Sequence, residues 1–435
     1  MYISQCLIVK NEEKNIEHCL THLKSVVDEQ IVVDTGSTDR TVEIAEGLGA
    51  KVFQFEWIGD FSAARNYALD KAKGDWIIFL DCDEYFSEES ISMIKKCIYE
   101  ADKRKEIEGL KSEFINIKTN GDIISTVKNV SPRVFKRKKN IRYINRIHEI
   151  LTNIDKGNSD PRLADASMYL KIFHTGYDKS VVGEKNKNDR NLTLLEREIA
   201  EDPENAKLNY YLSREYNVEG KYEEALNCAL RALKYMDNTV TYDYYCTIYS
   251  MIMMNMLALN KPYIEIKEIF DEAIVKYTSY PDYYRIIGLA ATKENRIKDA
   301  IQYFEDCISL CEKYKGNAES LAVGKIDNVY IDLLKVYEAD NNKHKTVEIA
   351  VALLKADKYI FEVLSILVKI FLTQEKEEEI ILFLSKIYNY SNLKDKMFLI
   401  KLCYSIKNKK LEDYYINLLD EKEKDALKNS GFLNR

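Results

Sequence analysis

The chain carries two patterns of apolar and polar positions, and the change falls near residue 180. Before it, short β-rich runs at residues 3–9, 30–33, 51–55 and 76–80 are separated by helix-period segments at 13–23, 40–48 and 62–73. Strand then helix, repeated, predicts a mostly parallel sheet covered on both faces. In such sheets ligands sit beyond the carboxyl ends of the strands, so the residues that follow each strand are where chemistry is sought.

After about residue 200 the strand pattern stops and amphipathic helical segments follow one another to the end. Leu212, Tyr216, Gly220, Tyr222, Ala225, Ala229 and Ala232 fall at the spacing of a tetratricopeptide helix pair, and Tyr284, Ile287, Gly288, Ala300, Phe304 and Cys307 repeat it. A degenerate copy holds Phe270 and Ala273, and Val347, Val351 and Leu354 suggest another after an insertion. This predicts an all-α solenoid of helix hairpins, with an irregular helical bundle as the alternative. The expected organisation is an α/β domain at 1–180, a connecting helix at 181–202 and the helical repeats at 203–435.

Composition narrows the function classes. Only 5 Pro and 15 Gly in 435 residues exclude collagen-like and linker-like chains. With 64 Lys plus Arg against 71 Asp plus Glu, the net charge of −7 provides no overall basic field for nucleic acid. The first residues lack the basic and long apolar regions of a signal peptide, and no apolar stretch reaches the roughly 20 residues of a membrane span. Nine scattered cysteines without CxxC pairs fit reduced thiols, so a cytoplasmic location is expected.

Candidate chemistry lies after the strands. The second strand runs into Asp34-Thr35-Gly36-Ser37-Thr38-Asp39, which reads either as a capped turn or as an acidic and hydroxyl cluster that accepts hydrogen bonds from a base or ribose. The strand at 76–80 runs into Asp81-Cys82-Asp83-Glu84. In extended geometry Asp81 and Asp83 share a side, and a divalent cation with oxygen ligands relieves their repulsion; Mg²⁺ takes one or two protein carboxylates plus substrate phosphates. Arg65, in Asp60-Phe61-Ser62-Ala63-Ala64-Arg65-Asn66, is either a surface helix residue or a bidentate diphosphate ligand. Residues 133–146 hold seven Lys or Arg and no acid, a solvated face or a stabiliser of a leaving diphosphate. His174 is a candidate to complete an octahedral metal site, and Glu149 a candidate general base.

Together the segments LIVKNEEKNI, VVDTGSTDRT, DFSAARNYAL, GDWIIFLDCDE and RIHEIL, then HTGYDKS, resemble glycosyltransferase family 2, the inverting nucleotide-sugar enzymes with a Rossmann-like GT-A domain. The resemblance covers residues 1 to about 180. With the helical tail, the arrangement is similar to bacterial members that glycosylate peptides or proteins, including bacteriocin S-glycosyltransferases and flagellin-modifying enzymes. It implies a donor site of Val9, Asn11, Glu12, Asp34, Thr35, Asp39, Arg65, Asp81 and Asp83, with Asp34, Thr35 and Asp39 around uracil and ribose. It also implies Mn²⁺ or Mg²⁺ on Asp83 with Asp81 beside it, joined by His174, and Glu149 as catalytic base. Many members have two consecutive Asp where this chain has Asp34-Thr35, which leaves the partner of the uracil N3 proton open.

The expected reaction is one in-line displacement that moves a hexose or N-acetylhexosamine from UDP-glucose or UDP-N-acetylglucosamine to Ser, Thr or Cys of a peptide or protein, with inversion. The alternatives are a polysaccharide or lipid-linked acceptor, or a nucleotide-binding scaffold without turnover. Homodimerisation is expected, since solenoid ends and a sheet edge can both pair chains. The sugar-discriminating pocket is expected in loops at 109–132.

Overall fold

The computed structural model describes residues 1–118, 121–127, 132–157, 159–175, 184–236, 242–316 and 318–429. The chain divides into two compact units, Met1–Gly220 and Lys221–Arg435.

In the first unit, β1 (Ile3–Val9) is buried along almost its whole length, as befits a central strand covered on both faces. It lies between β2 (Glu29–Asp34) and β4 (Trp76–Phe79), parallel to both, and β3 (Lys51–Gln54) extends the sheet beyond β2. Side chains alternate across it. Cys6, Ile77 and Phe79 share a core with Ala68 and Leu69 of α3 (Phe61–Lys71), whereas Leu7 and Val9 meet Ile16 and Leu20 of α1 (Ile16–Thr21) and Ala45 of α2 (Thr41–Gly47). A further core packs Trp76, Ile78 and Leu80 on Ile94 and Ile98 of α4 (Glu88–Asp102). The four predicted strands and the three helices between them are therefore present, with the first helix shortened by turns at both ends.

The region after α4 departs from the expected loops. β5 (Glu84–Phe86), β7 (Glu113–Ile117), β8 (Ile123–Val127) and β13 (Lys171–His174) form a second sheet in the order β5-β13-β7-β8. β6 (Gly109–Lys111), β9 (Val134–Lys136) and β12 (Leu163–Asp165) complete the main sheet as β12-β6-β9-β4-β1-β2-β3, with β9 antiparallel to β4 and β6. β10 (Ile141–Ile144) and β11 (Ile150–Asn153) form a ribbon, and α5 (Glu184–Glu201) and α6 (Ala206–Val218) close the unit. Residues 109–117 are thus mostly strand, with Leu110, Phe114, Ile115 and Ile117 buried, and 123–127 form a strand by pairing with β7 although Ile123 and Ile124 stay exposed.

The second unit is wholly helical among its described residues. Hairpins pair Tyr242–Ala258 with Tyr263–Lys276, Pro281–Lys293 with Ile297–Lys313, Ile326–Ala339 with Lys343–Ala356, and Leu393–Ile406 with Lys409–Asn417. Their turns are built alike. Asn260, Asn295, Asn341 and Lys407 all take left-handed backbone with φ of 55–58°. The next N–H reaches back five residues in each turn, Lys261 to Met256 O, Arg296 to Ala291 O, Asn342 to Tyr337 O and Asn408 to Cys403 O, at 2.9–3.1 Å. This is the Schellman closure, in which Asn tolerates the left-handed position better than most residues. Cys307 and Cys311 are buried thiols, and none of the nine cysteines forms a disulfide.

Candidate active site

Three loops open on one edge of the main sheet because β1, β2 and β4 run parallel and side by side. The first two are tied together. Val9 faces Asp34 in register, and both the N–H and Oγ1 of Thr35 donate to Val9 O at 2.9 and 3.0 Å. Asn11, with φ of 57°, donates its N–H to Ser37 Oγ at 2.9 Å and accepts from the Thr38 N–H at 2.7 Å. Asp39 accepts from the Thr41 N–H at 3.0 Å through one oxygen and from the Glu13 N–H at 3.1 Å through the other. Asp34 closes its own turn by accepting from the N–H groups of Gly36 and Ser37 at 3.1–3.2 Å. Asp34, Thr35 and Asp39 therefore form the frame of these loops.

The third loop differs from the extended geometry expected. The Glu84 N–H donates to Asp81 O at 3.0 Å, so residues 81–84 make a tight turn. The turn separates the two aspartates instead of aligning them. Asp81 Oδ1 accepts from Arg65 at 2.8 Å, while Asp83 Oδ2 lies 3.2 Å from His174 Nε2. His174 reaches this position because β13 pairs antiparallel to β5, which places it opposite Glu84.

Arg65 is the centre of the site. Asp60 caps α3 by accepting from the Ala63 N–H at 2.8 Å, which fixes the start of the helix and sets Arg65 on its inner face. Its side chain is 7% exposed and lies against the rings of Phe79 and Tyr143, at 4.9 and 5.4 Å. One edge of the guanidinium holds Asp81, and Nε donates to Glu149 Oε1 at 2.6 Å. Glu149 Oε2 has no hydrogen bond among the described residues. Burial disfavours the Arg65 cation, but Asp81 and Glu149 more than offset it and its pKa is raised. Burial would raise the Asp81 carboxyl, but Arg65 and Arg133 outweigh it and hold the group below the usual carboxylate range.

Beside it, Arg133 grips Glu84 with two hydrogen bonds of 2.6 and 2.7 Å, and its guanidinium stands 3.9 Å from Asp81 Oδ2. Burial, then the fields of Asp81 and Asp83, raise the Glu84 carboxyl against the pull of Arg133. Neither Glu84 nor Arg133 stands out as a pair in the sequence, since 49 residues separate them. The other cations of the 133–146 run disperse: Lys136 to Asp102, Lys138 to Glu108, Arg142 to Asp70 and Arg146 to Glu201. Of this run Arg133 is the member that pairs with Glu84 and borders Asp81, while these four form separate ion pairs elsewhere on the unit.

Glu12 completes the acidic side. Burial raises its carboxyl, Asn15 Nδ2 opposes this with a bond of 2.9 Å, and Asp83, Asp81 and Asp39 raise it again. Negative potential from three loops thus converges at one point. Among the described residues no group of three or more His, Cys, Asp or Glu is gathered as a ready metal cage. Asp83 and His174 instead offer one oxygen and one nitrogen, the donor number of an ion that takes the rest of its shell from substrate phosphates and water. Of the HTGYDKS segment, residues 176–180 lie outside the described residues.

The fold and this edge define an α/β domain, mostly parallel-stranded, acidic at its strand ends and followed by helical repeats. Residues 4–154 match the glycosyl transferase family 2 model. The chain is 27% identical over 315 residues to the glycosyltransferase SunS of Bacillus subtilis, covering 70% of each protein. It is 30% identical over 235 residues to a TPR repeat-containing protein of Synechococcus elongatus, covering 53% of this chain and 56% of that one. An uncharacterized glycosyltransferase of Rickettsia bellii is 46% identical over 87 residues, 20% of this chain and 29% of that protein. No described helix is long and apolar enough to cross a membrane.

Proposed function

We propose that the chain is an inverting, metal-dependent glycosyltransferase that moves a hexose or N-acetylhexosamine from a UDP-sugar to a Ser, Thr or Cys side chain of a peptide or protein. The observation that carries this reading is Arg65, which joins Asp81 at 2.8 Å to Glu149 at 2.6 Å and so couples the strand-end carboxylates to a carboxylate on the neighbouring loop. Such an arrangement suits a displacement with a donor on one side and an acceptor on the other.

Asp83 and His174 would hold the divalent cation, and an imidazole ligand favours Mn²⁺ over the all-oxygen preference of Mg²⁺. When bound, that ion supplies charge neutralisation for the leaving diphosphate. Glu149 takes the acceptor proton through Oε2 while Arg65 holds Oε1, so its direction of approach is fixed. One base would suffice, because a diphosphate whose charge such a cation neutralises would need no proton to leave. The consecutive helix hairpins support a peptide or protein acceptor, for which stacked repeats offer an extended surface.

The test is the anomeric configuration of the first sugar released when a UDP-α-sugar is hydrolysed, followed by proton NMR before mutarotation. The β-anomer is expected, and Glu149→Gln should slow its release about 10²–10⁴-fold. Release of the α-anomer would contradict the inverting reading.

A further inference from the structure

His174 is held from both sides. β13 pairs parallel with β7, which sets Asn116 opposite His174. Asn116 is only 4% exposed, and its Oδ1 lies 2.9 Å from His174 Nδ1. On the other flank the Thr175 N–H and Oγ1 donate to Asp83 O at 3.1 and 3.3 Å, fixing the chain that carries the aspartate. The Phe114 ring, 5.5 Å away, packs beside the imidazole.

An amide oxygen is only an acceptor, so Nδ1 is the donor in this contact and Nε2 is left to face Asp83 Oδ2 at 3.2 Å. At that separation Nε2 and Asp83 Oδ2 can share a divalent cation, or a proton when the ring is charged, so the direction in which the ring is held decides what the pair can bind. We propose that Asn116 is a positioning residue: it fixes the His174 ring so that Nε2 and Asp83 face one shared divalent cation. This rests on the reading of Asp83 and His174 as the cation's ligands. Hydrogen bonding to the second ring nitrogen is the usual way in which proteins aim a metal-binding histidine, and its loss costs about 10–100-fold in affinity.

The experiment measures Mn²⁺ binding to the full chain in the presence of UDP, from the free-ion EPR signal, together with imidazole-nitrogen coupling to the bound ion by pulsed EPR. Asn116→Leu is expected to weaken Mn²⁺ binding about 10–100-fold and to reduce the nitrogen coupling. Asn116→Asp keeps an acceptor oxygen and is expected to restore both, a rescue that a purely space-filling role would not require. If Asn116→Leu does not fold, Asn116→Ser, with a side chain too short to hold Nδ1 in the same way, takes its place with the same expectation. Wild-type affinity and coupling in the Leu or Ser variant would overturn the role of Asn116. If the wild type shows no nitrogen coupling, or His174→Ala binds Mn²⁺ as the wild type does, the assignment of His174 as a ligand fails first.

Discussion

A guanidinium buried against two aromatic rings leaves its carboxylate partners stranded if it is removed. Arg65→Met should therefore destabilise the fold by about 3–5 kcal/mol in denaturant titration, since Asp81 and Glu149 would lose their shared partner. Arg133→Met should be similarly damaging, because Glu84 is 2% exposed and accepts two bonds from that guanidinium. At His22, burial lowers the pKa from 6.5 to about 4, and Nε2 accepts the Phe86 N–H at 3.4 Å. The unfolded chain thus takes up the proton first. The contribution of His22 is whole above pH 6.5, falls as pH drops toward 4, and declines no further once the folded ring also protonates. His22→Gln should flatten that part of the stability–pH curve, and an unchanged slope between pH 6.5 and 4 would contradict it. Asp83, His174 and Glu149 were legible in the sequence because each follows a strand or lies in a motif. Arg133, Glu84 and Asn116 were not, because their partners come from strand pairings that bring residues 49–58 positions apart into contact.

At the scale of elements, the second hairpin of the helical unit was readable because its repeat is written in side chains. Gly288 permits close crossing: a Cβ there would lie 2.8 Å from the Phe304 ring. Gly288→Ala should cost about 1–3 kcal/mol by overpacking, measured by chemical denaturation, and Phe304→Leu in the same chain should recover part of it. The hairpin closed by Lys407 left a weaker trace because what it shares with the others is backbone: one left-handed residue and one N–H reaching back five positions. Asn fills that position three times and Lys once. Lys407→Gly should therefore raise stability by about 0.5–1 kcal/mol, whereas Asn341→Gly should change it by less. The strands at 109–117 were missed for a related reason: short runs of three to five residues reveal their partners only when the second sheet has formed.

For the whole molecule, sequence periodicity gave the order of an α/β domain and a helical repeat region, while the site depends on how loops after β1, β2, β4 and β10 are drawn together. Asp34, Thr35 and Asp39 illustrate the limit of reading chemistry from a motif: Thr35 and Asp39 spend hydrogen bonds on joining two loops and Asp34 on closing its own turn, so their substitution should alter both binding and stability. Asp83 is a cleaner probe, since no described backbone N–H depends on its carboxylate. The most direct measurement of the central claim is UDP release from a panel of UDP-sugars with Mn²⁺, with and without EDTA, comparing wild type with Asp83→Ala. The prediction is slow consumption of one donor by the wild type, lost both with EDTA and in the variant. Consumption that survives chelation and the loss of Asp83, or no donor consumed and no UDP bound, would contradict the account.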